Sequence, residues 1–215
     1  MLGAGSVLEM DPLGLRVEFV RTAQETDGEL LEMTVTGRPR GFLAQRHVHS
    51  SQVERLEVIS GAMKVKMNGR EHILTSGQSI EVPAGTPHTQ APVGEGPGSV
   101  RIQVRPAGRT QAFLEQVARL CREGKVTRAG YPRPVAGAEL VLEYSDTGHA
   151  ASPPLHVQRR IAGLVMGLAR TMLYNPRWPW HAAVELGEEF YYPKQYERAH
   201  PSMQGGDFLR PARTA

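Results

Sequence analysis

Residues 41–61 read GFLAQRHVHSSQVERLEVISG and residues 77–88 read GQSIEVPAGTPH, and these two stretches decide the fold. His47 and His49 stand two apart, so on an extended strand their imidazoles point to one face and can aim at one place. Glu54 follows past a bend predicted at Ser50-Ser51-Gln52, and a hairpin partner strand would bring His88 in from the side. Three neutral imidazoles and one carboxylate form a mixed nitrogen and oxygen donor set. Such a set suits one divalent transition metal (Fe, Mn, Ni, Cu or Zn) with positions left for water or substrate, and it suits calcium and magnesium poorly.

The surrounding sequence reads as short strands punctuated by turns: residues 15–22, 30–36, 42–49, 53–60, 62–67, 71–74, 79–82, 88–91 and 99–105. Between two of them, Asn68-Gly69 predicts a two-residue hairpin, because a type I′ turn needs positive φ at both central positions. Strands this closely spaced, with no crossover helices between them, predict an antiparallel sandwich or barrel. Beyond Arg105 the pattern changes. Residues 112–122 carry apolar side chains at helical spacing, a short helix is expected over 137–144, and Ser152-Pro153-Pro154 opens a long one over 155–174. The predicted organisation is a barrel with N-terminal strands over 1–108, a helical extension over 109–175 packed on the barrel or in a dimer interface, and an irregular arm over 176–215.

Composition narrows the classes of function. The 215 residues are 40% hydrophobic and 22% charged, as in a soluble globular chain rather than a disordered or fibrous one. Twenty-five Lys and Arg against 22 Asp and Glu give a net charge of +3, and the basic residues are dispersed, which argues against a nucleic-acid partner. Cys121 is the one cysteine, so no disulfide framework or multi-cysteine cluster exists and a reducing, cytoplasmic location is expected. The first residues lack the basic start and apolar run of a signal peptide, and the longest apolar run, 161–169, is far short of the roughly 20 residues a membrane span needs.

The spacings also carry a resemblance. Gly41, His47, His49, Glu54 and Gly61 stand at the fixed positions of the first cupin motif, and Gly77, Pro83, Gly85 and His88 at those of the second, although Pro92 occupies the place where that motif usually closes with Asn. The resemblance implies an all-β fold, an antiparallel cupin jelly-roll barrel over about residues 15–105 with a C-terminal helical extension. It also implies His47, His49, Glu54 and His88 as metal ligands. The family hosts many reactions on one barrel. The activity it implies first is a metal-dependent oxygenase of the quercetin dioxygenase-like or cysteine dioxygenase-like kind, acting on a small, rather apolar organic molecule. Glu54 would be able to serve as general base, since burial raises a carboxylate's proton affinity. The alternatives are an isomerase, lyase or hydrolase using the ion as Lewis acid, and a non-catalytic small-molecule binding module.

Strand parity extends the reading to a pocket. Leu43 and Gln45 would share a face with His47 and His49, Gln90 with His88, and Leu56 and Val58 with Glu54. These predict a mostly apolar substrate pocket with two amides as polar contacts. His72, His149, His156, His181 and His200 are read as surface or capping residues, and Cys121 as packing. The apolar helix over 155–174 has more surface to bury than one barrel flank covers, which predicts a homodimer.

Overall fold

A computed structural model describes residues 1–94 and 96–173; the arm expected over 176–215 lies outside them. Residues 1–168 form one compact unit, and of residues 169–215 the described part is the end of the last helix. The chain runs β1 (Val7–Met10), β2 (Leu15–Arg21), β3 (Leu31–Gly37), β4 (His47–Val48), β5 (Val53–Ser60), β6 (Ala62–Met67), β7 (Arg70–Thr75), β8 (Ser79–Val82), β9 (His88–Val93) and β10 (Gly98–Arg105). Helices α1 (Thr110–Arg122) and α2 (Pro134–Tyr144), strand β11 (His149–Ala150) and helix α3 (Leu155–Leu173) follow.

The strands form two antiparallel sheets, one in the order β1-β2-β3-β10-β5-β8 and the other β11-β4-β9-β6-β7. Consecutive strands β5 and β6 lie in different sheets, and β5 pairs β8 and β10 while β6 pairs β7 and β9, the alternation of a jelly roll. Inward alternation builds the core between them: on β5, Glu54, Leu56 and Val58 are buried, while Arg55 faces out. The β6–β7 hairpin turns at Asn68 (φ 51°) and Gly69 (φ 72°), as the dipeptide requires. Pro92 does not end β9, which pairs through Met63↔Pro92 to Val93. Strand β4 pairs β9 only at His88, so the other side of β9 is open where proline has no N–H to offer.

Residues 42–49 are not one strand: Gly41–Ala44 form a 3₁₀ turn, and only His47–Val48 pair as a strand. The cause is a contact with a loop from the helical half. Gly41 (φ 67°) and Gly130 (φ 80°) lie backbone to backbone, Phe42 N–H donates to the Gly130 carbonyl at 3.0 Å, and a Cβ on Gly41 would overlap that carbonyl. Two strands, β1 and β11, were also not anticipated.

Helix α1 lays Leu114, Val117, Ala118 and Leu120 into the same hydrophobic core as the barrel, joined by Ala136, Leu140 and Tyr144 of α2. Helix α3 behaves otherwise. Ala162 is buried, but Ile161, Leu164 and Leu168 remain 52%, 75% and 58% exposed. Among the described residues no helix is long and apolar enough to cross a membrane.

Candidate metal centre

The barrel brings His47, His49, Glu54 and His88 together from both sheets. Glu54 comes from β5 of the six-stranded sheet; His47 on β4 faces His88 on β9 across a pair in the other, and His49 follows β4 directly. One ligand atom from each of the four lies within 4.8 Å of the others. The ring centroids of His47 and His88 are 4.3 Å apart, those of His47 and His49 5.1 Å, and those of His49 and His88 5.6 Å. An ion with bonds of about 2.1 Å holds opposite ligands roughly 4.2 Å apart, so the cluster has only to contract by about half an ångström to grip one.

Hydrogen bonds settle which nitrogen each imidazole offers. Nδ1 of His47 lies 2.9 Å from the Gln45 carbonyl, Nδ1 of His49 lies 3.0 Å from that of Thr147, and Nδ1 of His88 lies 3.0 Å from that of Thr86. A carbonyl oxygen only accepts, so each Nδ1 carries a proton; when the ring is neutral its bare Nε2 faces the centre, and His88 donates through Nε2 to Glu54 only in its charged form. This is the outer support that orients metal-binding histidines, and the donor set fits a divalent transition ion. The turn that presents His88 is tied to the same place: Gly85 N–H donates to the His49 carbonyl at 2.8 Å.

His88 is fully buried and lies 3.0 Å from Glu54 through Nε2 and Oε2, while His49 Nε2 lies 4.0 Å from that same oxygen. Burial would lift the Glu54 carboxyl, but the hydrogen bond from His88 and the charge of the imidazoles around it hold it at about 2. The expectation of a raised proton affinity at Glu54 is therefore corrected: the imidazoles outweigh desolvation. For His88, burial works against the charged ring, yet the hydrogen bond to Glu54 and that carboxylate's charge overcome it and the pKa rises. His47 goes the other way, to about 4, pushed down first by burial and then by the charge of His88.

The cluster opens on a cavity of about 560 Å³ with a wall made largely of Met, Val, Leu and Phe side chains. Leu43, Gln45 and Gln90 lie on that wall, Leu43 and Gln45 reaching it from the 3₁₀ turn and its exit rather than by strand parity. Leu56 does not. It points inward, pairs Ile80 and Ile102, and is sealed in the core. Sequence reasoning missed Thr147, Gly148 and Tyr131. Thr147 holds His49 through its carbonyl across 98 residues, and Gly148 packs so closely that a Cβ would sit 3.3 Å from His49 Nδ1. No sequence spacing announces such a contact. His149, read as a surface residue, pairs Val48 through β11 and lies on the cavity wall. Burial pushes the Cys121 thiol up, in keeping with a packing role.

The family model for the Cupin domain (Cupin_2) matches residues 33–102, from β3 through His88 into β10. The chain carries a cupin domain. Over 76 residues the chain is 30% identical to the quercetin 2,3-dioxygenase of Bacillus subtilis, a match covering 35% of the chain and 23% of that protein. The chain thus spans under a quarter of the length of the curated relative it matches. Among solved structures the chain is similar to KdgF from Halomonas sp., at 22% identity over 47% of this chain and 86% of that one, with a TM-score of 0.40. An RmlC-like cupin from Shewanella frigidimarina is 19% identical over 50% of this chain and 88% of that one, with a TM-score of 0.42.

Proposed function

We propose that His47, His49, Glu54 and His88 hold one divalent transition metal and that the chain is a metal-dependent oxygenase acting on a small, rather apolar organic molecule bound in the cavity. One observation carries this reading: three imidazoles, each anchored at Nδ1 by a main-chain carbonyl, turn Nε2 toward one buried carboxylate at the end of an apolar cavity. The similarity to a quercetin 2,3-dioxygenase, over about a third of the chain, favours oxygen chemistry over a hydrolytic or isomerising role.

A bound iron, manganese or nickel ion would supply redox and Lewis-acid chemistry, with positions beyond four protein ligands left for substrate and dioxygen. The chain's own residues do the rest. The carbonyls of Gln45, Thr86 and Thr147 keep each ring in one tautomer and orientation, so little reorganisation accompanies binding. Glu54, held ionised, offsets part of the ion's charge; to act as a base it must first leave the imidazoles that keep its pKa near 2. The apolar wall excludes water from the reacting face.

The test is oxygen uptake by protein loaded separately with Fe(II), Mn(II) and Ni(II), offered a panel of small neutral enols, phenols and thiols. Metal-dependent consumption that disappears in His49→Ala and Glu54→Gln is the expected result. Turnover without oxygen uptake would move the reading to Lewis-acid catalysis, and tight ligand retention without turnover to a binding module.

A further inference from the structure

The cavity contains a polar arrangement that the metal centre does not use. Tyr131 lies on its wall and is 47% exposed, which places the ring at the rim, within reach of both cavity and solvent. The loop that carries it, between α1 and α2, is closed on itself by a bridge between Val126 and Pro132 and by Thr127 N–H donating to the Tyr131 carbonyl at 2.8 Å. The contact between Gly41 and Gly130 then pins this loop to the barrel, leaving no room for a side chain on either residue. Tyr131 is held at the rim by backbone that cannot move far.

Its hydroxyl has a defined polarity. Gln45 Nε2 donates to it at 3.1 Å, while the main-chain carbonyl of Gln45 receives the Nδ1 proton of His47. One residue therefore connects Tyr131 to the metal centre. Having accepted from Gln45, the tyrosine oxygen still carries its own proton, and no acceptor among the described residues receives it. Apart from the histidines, the charged side chains on the wall are Glu54, inside the cluster, and Arg46, which is exposed and screened by solvent. Outside the four-residue cluster the wall thus offers a largely apolar body, a hydroxyl donor at the rim and no buried cationic side chain for an anion.

We infer that Tyr131 is a ligand-binding residue of this cavity, its hydroxyl donating to a carbonyl or ether oxygen of a neutral, mainly apolar organic molecule. The inference rests on the proposal above that the cavity is the ligand site, though not on which metal is bound. A neutral hydrogen bond in such a place changes affinity about fivefold, against packing contributions that do not distinguish an oxygen from a methyl group.

The full chain, with and without one equivalent of zinc, is titrated with 2-acetylnaphthalene, with 2-isopropylnaphthalene, which has the same shape and no oxygen, and with 2-naphthoate, followed by ligand fluorescence. Tyr131→Phe is expected to weaken the ketone about fivefold, to leave the hydrocarbon unchanged and to leave zinc affinity unchanged. The inference is overturned if the ketone is unaffected, if both neutral probes weaken equally, if neither binds the unaltered chain, or if, in the absence of zinc, the naphthoate binds more tightly than the ketone. The two proposals fail separately. A Tyr131-dependent ketone preference in a chain that does not bind zinc leaves this inference standing and removes the metal centre, whereas zinc binding with no such preference does the reverse.

Discussion

Replacing Gly148 with Ala should separate the metal centre from the fold. The added Cβ would lie 3.3 Å from His49 Nδ1, 3.4 Å from its Cε1 and 3.7 Å from the Val48 carbonyl, so the imidazole has to give way by a few tenths of an ångström. That ring is held by one hydrogen bond, Nδ1–H to the Thr147 carbonyl at 3.0 Å, and the displacement acts directly against it. Disturbing an outer partner of a metal-binding histidine costs about 10- to 100-fold in metal affinity; for a shift this small we expect the lower figure, tenfold or about 1.4 kcal/mol. Stability should move little. Gly148 does not adopt positive φ, so alanine restricts the unfolded chain and returns about 0.4–1 kcal/mol, offsetting the crowding. Competition with a fluorescent zinc chelator measures the first quantity and urea unfolding of the metal-free chain the second. Gly163→Ala serves as the control, because its Cβ meets nothing within 4 Å in the middle of α3; it should stabilise by about 0.5–1 kcal/mol and leave zinc affinity alone. Unchanged zinc affinity in Gly148→Ala, or an equal loss in both variants, would refute the reasoning.

Metal binding should release a proton. Glu54 raises the proton affinity of His88 above that of a free imidazole, so protons compete with the metal there and affinity should rise with pH until the His88 pKa is passed, while His47, at about 4, competes only in acid; chelator competition from pH 8 to pH 4 reads this, and a flat profile between pH 8 and pH 5 contradicts it. Glu54, lowered from an ordinary 4.5 to about 2, contributes stability that is present above pH 4.5 and lost as pH falls through 2, so Glu54→Gln should flatten the acid limb of a denaturation curve. Gly41→Ala should destabilise by about 2 kcal/mol or more, since positive φ and the Gly130 backbone both oppose a Cβ; a melting temperature equal to that of the unaltered chain would show that the loop contact does not matter. The exposed Ile161, Leu164 and Leu168 lead us to expect a homodimer by light scattering, reduced to monomer by Leu164→Glu; a monomeric mass for the unaltered chain speaks against it.

Much of the barrel is legible in the sequence because strand alternation and turn residues are local signals. Strands β5, β6 and β8 have the bounds that their alternation predicts, and Asn68-Gly69 makes the hairpin its chemistry demands. His47, His49, Glu54 and His88 are legible for a different reason: a donor set needs particular residue types at spacings that survive in one dimension. The parity rule fails over residues 41–45, because Gly41 answers to Gly130, a contact 89 residues away that backbone propensity does not encode. Leu43 and Gln45 line the cavity by another route, and Leu56, though inward, lies deeper than the cavity. Thr147 and Gly148 are illegible for the same reason as Gly130. Their roles arise only when β11 joins β4 and delivers a carbonyl to His49. Tyr131-Pro132-Arg133-Pro134 reads as a helix breaker, which says where the chain turns and nothing of where the tyrosine then sits.

The most direct test is elemental analysis of untagged protein, purified in parallel as the unaltered chain, as His49→Ala and as His72→Ala. His49 lies within the four-residue cluster, while His72 sits on the β6–β7 hairpin outside it. The account predicts close to one equivalent of a transition metal in the unaltered chain and in His72→Ala, and little in His49→Ala, with the circular dichroism of all three alike. Undiminished metal in His49→Ala, or equal losses in both variants, would contradict the metal centre.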